Sequence, residues 1–225
     1  MTTFGNRAFD FLNSLQPNFS IPDKIDCLLP FESDEVKIVN QVFYEKYFND
    51  NNSRIAILGI NPGRFGAGIT GVNFTDPIKL ESNLGIKNTF IKRNELSSDF
   101  VYHVINNFGG PEIFYSKFYI SSVCPIGFTS NGKNLNYYDD KILKKNISEF
   151  IIHCLAKQIE IGLKTTKVIC LGEGLNFNFL NELNKEYKFF EEIIPLPHPR
   201  FIMQYRRKQI NEYLEIYLNT LSNQE

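Results

Sequence analysis

Hydrophobic residues along this chain switch between two spacings. Over residues 5–15 the apolar side chains Ala8, Phe11, Leu12 and Leu15 recur three and four apart, and residues 33–49 do the same with Val36, Val39, Val42, Phe43 and Tyr47. Both stretches predict amphipathic helices. Pro17, Pro22 and Pro30 interrupt the segment between them. At Arg54 the period changes: RIAILGI (residues 54–60) is a nearly continuous apolar run ended by a Gly- and Pro-rich loop, the mark of a strand buried on both faces. The unit then recurs. KFYISSVCPI (117–126) reads as a second strand, TKVICLG (166–172) as a third, and EEIIPLPHP supplies a fourth ending at Pro195. Between and after them lie a long helix over 138–163, with Ile147, Ile151 and Leu155 on its apolar side, a helix from Leu175 to Leu183, and a closing helix over 202–221 with Ile210, Tyr213, Leu214 and Tyr217 inward. Buried strands alternating with helices predict an α/β fold of three layers, α/β/α, around a central four-stranded parallel sheet. With no linker, repeat or low-complexity tract, residues 1–225 read as a single domain.

Ligands of such sheets bind outside the carboxyl ends of the strands. Three loops fall there: NPGRFGAGITGVNF after the first strand, PIGFTSNGKN after the second and PHPRF after the fourth. They are expected to converge on one crevice.

Composition narrows what that crevice meets. The 24 Lys and Arg are matched by 25 Asp and Glu, a net charge of -1, so contact with a polyanion has to come from a local basic patch. Cys27, Cys124, Cys154 and Cys170 are widely spaced, with no C-x-x-C pair and no zinc-finger histidines, and read as small apolar fillers rather than metal ligands. His103 and His153 fall on predicted helices and read as structural or surface residues. No leader-like segment or bilayer-spanning run is present, so the chain is expected to be cytoplasmic.

The first loop, GINPGRFGAGITGVNF (59–74), formally contains the dinucleotide fingerprint at Gly66, Gly68 and Gly71. The context argues against it: Gly66 lies seven residues past Gly59, with Pro62 between, and residues 88–96, NTFIKRNEL, are no strand ending in an acid. A merely floppy loop would not carry Asn61, Pro62, Phe65 and Phe74 among its glycines. Phe65 reads as packing. For Phe74, packing and stacking on a flat ligand both remain open.

GINPGRFGAGITGVNF, GKNLN (132–136) and HPRF (198–201) together resemble the uracil-DNA glycosylase superfamily. The similarity is closest to the single-strand-selective monofunctional enzymes, in particular their bacterial second subgroup, whose first motif has the form G-M-N-P-G-x-F-G-x-x-x-T-G-V-x-F. The resemblance covers about thirty residues in three blocks and implies a uracil-DNA glycosylase-like fold. It further implies a metal-independent enzyme without cofactor, acting as a monomer on DNA that contains uracil or related bases. Residue by residue, it implies that Asn61 holds the attacking water and that the base stacks on Phe74. It gives Asn134 the uracil edge at N3 and O4, and has His198 donate to O2 of the departing base. Ile60 and Gly63 complete the base pocket. Gly63 stands where the most thymine-averse branch, with GQDPYH, has a bulky Tyr. The space beside uracil C5 is therefore expected to be roomier and tolerant of 5-substituents such as 5-hydroxymethyl.

DNA contact is expected from RFIMQYRRK after His198: Arg200, Phe201, Gln204, Tyr205 and Arg206, with Phe201, Met203 and Tyr205 as apolar candidates for a wedge filling the hole left by the flipped base. Arg207 and Lys208 fit a solvated helix face equally well. The family usually continues H-P-S-P-R-N here. Arg64, where the family often has Pro, is expected to add a phosphate contact, and Asp76 to cap the chain after Phe74. Two rivals share the pocket: a glycosylase for deaminated purines such as xanthine or hypoxanthine, and a noncatalytic module binding damaged DNA or free nucleobases.

Overall fold

The computed structural model describes residues 2–223, so residues 1, 224 and 225 of the expected domain lie outside the described residues. Helix α1 (Phe4–Asn13) starts at Thr3, whose hydroxyl accepts the free N–H of Asn6, and buries Phe4, Ala8, Phe11 and Leu12 on one face. After a short strand β1 (Ile25–Leu28), α2 (Asp34–Tyr47) turns Val36, Val39, Phe43 and Tyr47 inward. Strand β2 (Arg54–Gly59) is buried at all six residues, as its unbroken apolar run demands.

The chain continues through α3 (Ala67–Thr70), α4 (Pro77–Ser82), α5 (Leu96–Asn107) and α6 (Pro111–Lys117) to β3 (Phe118–Ser122). Next come β4 (Gly127–Ser130) and β5 (Lys133–Leu135), then α7 (Lys141–Glu160), β6 (Leu163–Leu171), α8 (Leu175–Tyr187), β7 (Glu192–Leu196), α9 (Pro199–Tyr205) and α10 (Ile210–Ser222). Strands β3-β2-β6-β7 form the expected four-stranded sheet, every neighbouring pair parallel, with Ile57 in register with Ile120 on one side and Ile169 on the other. Helices flank it in a three-layer α/β/α arrangement. From β2 the chain reaches β3 on one side and later returns to β6 on the other, so the winding reverses at β2, where open α/β sheets place their ligand crevice.

Three expectations need correction. The second strand stops at Ser122 rather than Ile126, because Val123 and Cys124 turn their N–H groups to Gly59 O and Ile60 O and Pro125 then leaves the ladder. PIGFTSNGKN is not a loop but the β4–β5 hairpin, which joins β1 in a second, antiparallel sheet ordered β1-β4-β5. Its turn is Asn131-Gly132, both at positive φ (49° and 68°), the pairing that a tight hairpin turn requires. The closing helix is two helices: α9 begins at Pro199, and a 3₁₀ turn at Arg207–Gln209 separates it from α10.

Beneath the sheet the first residue of β2, Arg54, is fully buried in an aromatic nest. Its guanidinium pairs with both oxygens of Asp50 at 2.8 Å, donates to Tyr115 O and Asn52 O, and lies 4.7 and 4.8 Å from the Phe4 and Phe48 ring centres. The ion pair and its hydrogen bonds hold the Asp50 carboxyl below the usual range. Arg54→Ala is expected to lower unfolding stability by about 3 kcal/mol, since it removes the partner of the Asp50 carboxylate and of the Tyr115 and Asn52 carbonyls at once. Urea denaturation measures it, and a loss below about 1 kcal/mol would contradict the assignment.

Candidate active site

The long loop after β2 is closed on itself by hydrogen bonds. Gly66 N and Gly68 N both reach Gly63 O, and α3 is a single turn ended by Gly71 at φ 73°. That turn is too short to serve the phosphates of a dinucleotide, so the fingerprint match is coincidental. From behind, the buried Asn40 of α2 donates to Thr70 O at 2.7 Å, and the Thr70 hydroxyl reaches Thr75 O at 2.7 Å. The loop is thereby folded tightly around Phe74, which takes φ 52°, a left-handed backbone that a bulky residue adopts only under constraint. The Phe74 ring lies over Gly59: a Cβ there would come 2.7 Å from the ring, so only glycine at the end of β2 lets the aromatic seat. Ser122 at the end of β3 donates to Asn73 Oδ1 at 3.0 Å and ties the neighbouring strand to the same turn.

The hairpin meets this loop through side-chain amides. Asn61 Oδ1 accepts from Tyr137 N (3.1 Å) and its Nδ2 donates to Leu135 O (3.2 Å). Asn134 Oδ1 accepts from Arg64 N at 3.0 Å, leaving its NH₂ and a second oxygen lone pair to face the cleft. Arg64 in turn donates to Gly132 O, and its guanidinium lies 4.2 Å from the Phe65 ring centre, with Arg93 at 5.1 Å. Phe65 is thus half-buried beneath two cations and lines the adjoining chamber.

The third segment brings His198. It caps α9 with its imidazole, Nδ1 accepting from Arg200 N at 3.1 Å, which places the ring proton on Nε2. Burial, and then the positive charge of Arg200, lower its pKa to about 4, so the ring is a neutral donor at physiological pH. Its centre lies 5.8 Å from that of Phe74.

These segments enclose a cleft of about 300 Å³, at the small end for ligand sites. Ile60, Asn61, Gly63, Phe74, Asn134 and His198 all line it, and Arg200, Phe201, Gln204 and Tyr205 stand at the α9 side. Arg206 does not line it; its guanidinium lies 5.2 Å from the Phe201 ring on the exposed helix face. Met203 points into the core and is no wedge candidate, whereas Phe201 and Tyr205 are 40% and 67% exposed with rings 5.8 Å apart. Arg64 lines an adjoining chamber of about 470 Å³ with Lys133 and Arg200. His103 and His153 do not line the cleft. Cys124, Cys154 and Cys170 are buried free thiols, with burial pushing Cys154 up to about 12.

Seven lining residues were not assigned to the cleft from the sequence, and four of them bear on its chemistry. Asn136 closes the same GKNLN block as Asn134, and that was its signal; Asn73 sits beside Phe74 and Ser122 ends a strand. The fourth, Glu95, shares the room expected beside Gly63. A Cβ at Gly63 would lie 2.6 Å from Glu95 Oε1, and one at Gly66 would collide with Oε2, so the two glycines make room for a carboxyl instead. Asp76 both caps α4, accepting from Ile78 N and Lys79 N, and holds Glu95 N on its other oxygen at 3.0 Å. Burial and the Asp76 charge raise the Glu95 pKa to about 7, against the opposing pull of Arg200.

A neutral imidazole donor and clamped carboxamides around one aromatic wall suit a planar heterocycle gripped by its edges. The class is an α/β enzyme that acts on a single base. The uracil DNA glycosylase superfamily model matches residues 45–222, and the chain belongs to that family. The crystal structure of wild-type SMUG2 from Pedobacter heparinus is similar over 99% of this chain and 98% of its own, at 44% identity and a TM-score of 0.96. No curated protein matches the sequence. The expected resemblance and fold are thus borne out, and the protein is a uracil-DNA glycosylase, a hydrolase of N-glycosyl bonds. No helix among the described residues is long and apolar enough to cross a membrane.

The capping geometry makes a direct prediction. NMR titration of His198 should find a neutral ring, protonated on Nε2, down to about pH 4. A midpoint near ~6.5, the ordinary value, would contradict it.

Proposed function

We propose that the cleft excises uracil and 5-substituted uracils, 5-hydroxymethyluracil among them, from DNA as a monofunctional glycosylase. A base inside a duplex is out of reach, so the nucleotide is extruded into the cleft and its Watson-Crick edge is read there. The ring stacks on Phe74, the Asn134 amide meets N3 and O4, and His198 Nε2–H donates to O2. The C1′–N1 bond breaks with its electron pair leaving on the base, a water held by Asn61 adds its oxygen to C1′, and the proton that water loses passes through solvent to the released uracil anion.

A carboxamide takes up no proton at neutral pH, so Asn61 orients the water without acting as a base. The main help comes from neutral donors aimed at the charge that develops on the leaving base. The observation that carries this reading is the His198 cap: Arg200 N occupies Nδ1, so the group facing the cleft is an N–H that stays uncharged. Outside the cleft, exposed Phe201 and Tyr205 on α9 fit the wedge, and Arg64, Lys133, Arg200 and Arg206 supply the local positive charge for phosphates that the near-neutral chain otherwise lacks.

Oligonucleotides carrying one uracil test this reading. Wild type should release uracil and leave an abasic site that breaks only on alkali or heat, because no lysine lines the cleft for Schiff-base chemistry. His198→Ala and Asn61→Ala should each lower kcat by roughly a hundredfold or more. The reading fails if wild type releases no uracil or if both variants match it, and strand scission without alkali would contradict the monofunctional assignment.

A further inference from the structure

Among the groups at the base pocket that the excision chemistry leaves unused is the carboxyl of Glu95. It occupies the volume that Gly63 and Gly66 vacate: an ideal Cβ at Gly63 lies 2.6 Å from Glu95 Oε1 and 3.5 Å from Asn134 Nδ2. Carboxyl and amide therefore border the same patch of the cleft, side by side. The backbone of Glu95 is fixed by Asp76, and α5 begins immediately after it, so its side chain is aimed rather than free to wander. Yet among the described residues the carboxyl makes no hydrogen bond or salt bridge, and it does not cap its own helix.

Placing Asn134 on N3 and O4, as the proposed function does, sets the next edge of a pyrimidine, C5, against this carboxyl. We propose that Glu95 is a specificity-determining residue that hydrogen-bonds a donor-bearing substituent on C5, selecting 5-hydroxymethyl over 5-methyl. The inference rests on the uracil-excision reading and goes beyond it by naming the group that tells substituents apart.

A half-buried carboxyl without a partner is costly, and a hydroxyl in reach supplies one. A methyl group fills the same volume, displaces water and gives nothing back, so it is rejected. Unsubstituted uracil leaves room for water and falls between them. Selection of this kind is strong because a site built to bond a hydroxyl loses that bond with the analogue that lacks it. The hydroxymethyl group also satisfies the carboxyl in either protonation state, accepting from it below its midpoint and donating to it above. The charges facing Glu95 are Asp76 from the start of α4, which opposes ionisation, and Arg200 from α9, which favours it; Arg64 and Lys133 line the adjoining chamber, and His198 stays neutral.

The test measures kcat/KM of the full chain on oligonucleotides containing uracil, 5-hydroxymethyluracil or thymine opposite guanine. Wild type should favour 5-hydroxymethyluracil over thymine. Glu95→Ala should lower the ratio of 5-hydroxymethyluracil to uracil by about tenfold or more, and Glu95→Gln, which keeps the shape and the hydrogen-bonding capacity, should restore most of it. Gly63→Ala, whose Cβ drives the carboxyl aside, should act like Glu95→Ala and covers the case in which that variant fails to fold. Ratios within about twofold of wild type in both Glu95→Ala and Gly63→Ala would overturn the inference while leaving uracil excision intact, as would a wild type that releases uracil and ignores 5-hydroxymethyluracil. A wild type that releases no uracil overturns the excision reading and this inference with it.

Discussion

The Asn61 carboxamide is gripped at both ends by the chain leaving the β4–β5 hairpin, Nδ2 giving its hydrogen to Leu135 O and Oδ1 taking one from Tyr137 N. That single clamp joins the loop after β2 to a segment more than seventy residues away, and most of the cleft depends on it. Glycine-rich loops lose more entropy on ordering than other loops, so a loop with five glycines keeps a shape only if other segments impose it. Here α2 supplies Asn40, β3 supplies Ser122, and the hairpin supplies Asn134 together with the backbone that holds Asn61. The restraints leave Phe74 in a left-handed backbone with its ring over Gly59. Strain is stored at Phe74, the residue to which the proposed function assigns base stacking, and it is paid for by buried hydrogen bonds around it.

Electrostatically the cleft holds its groups near neutrality. His198 is kept uncharged by burial and by Arg200, and the Glu95 carboxyl is pushed toward neutrality by burial and by Asp76. A neutral donor opposite developing negative charge needs no counter-ion before the reaction and little reorganisation during it, which is where preorganised dipoles are most effective. Arg200 stands at the α9 side of the cleft and helps keep His198 uncharged, while Arg64, Lys133 and Arg206 lie on the adjoining chamber and the exposed face of α9. For a protein of net charge -1, these local cations are the groups that the proposed function assigns to phosphate contact.

Much of this frame was legible in the sequence. The buried strands announced themselves by unbroken apolar runs, and the rule that ligands gather at carboxyl strand ends brought the three loops together before any coordinates. What escaped did so for identifiable reasons. The second sheet is built from strands of three and four residues, too short to show a period, although Asn131-Gly132 was a usable turn signal. The break at Arg206 carries no Gly or Pro, and Met203 alternates with exposed aromatics that hide its inward direction. Glu95 was invisible because its position follows from Asp76 holding its backbone and from the two glycines that vacate its volume, a three-body arrangement that no local pattern encodes.

The central claim is that the cleft receives a flipped uracil with Phe74 on its face, His198 at O2 and Asn134 at N3 and O4. A crystal structure of the protein bound to an oligonucleotide with a non-hydrolysable 2′-fluorinated deoxyuridine tests it most directly. The base should lie inside the cleft, stacked on Phe74, with O2 at hydrogen-bond distance from His198 Nε2. A base left in the helical stack, or seated in the cleft with O2 turned away from His198, would contradict it.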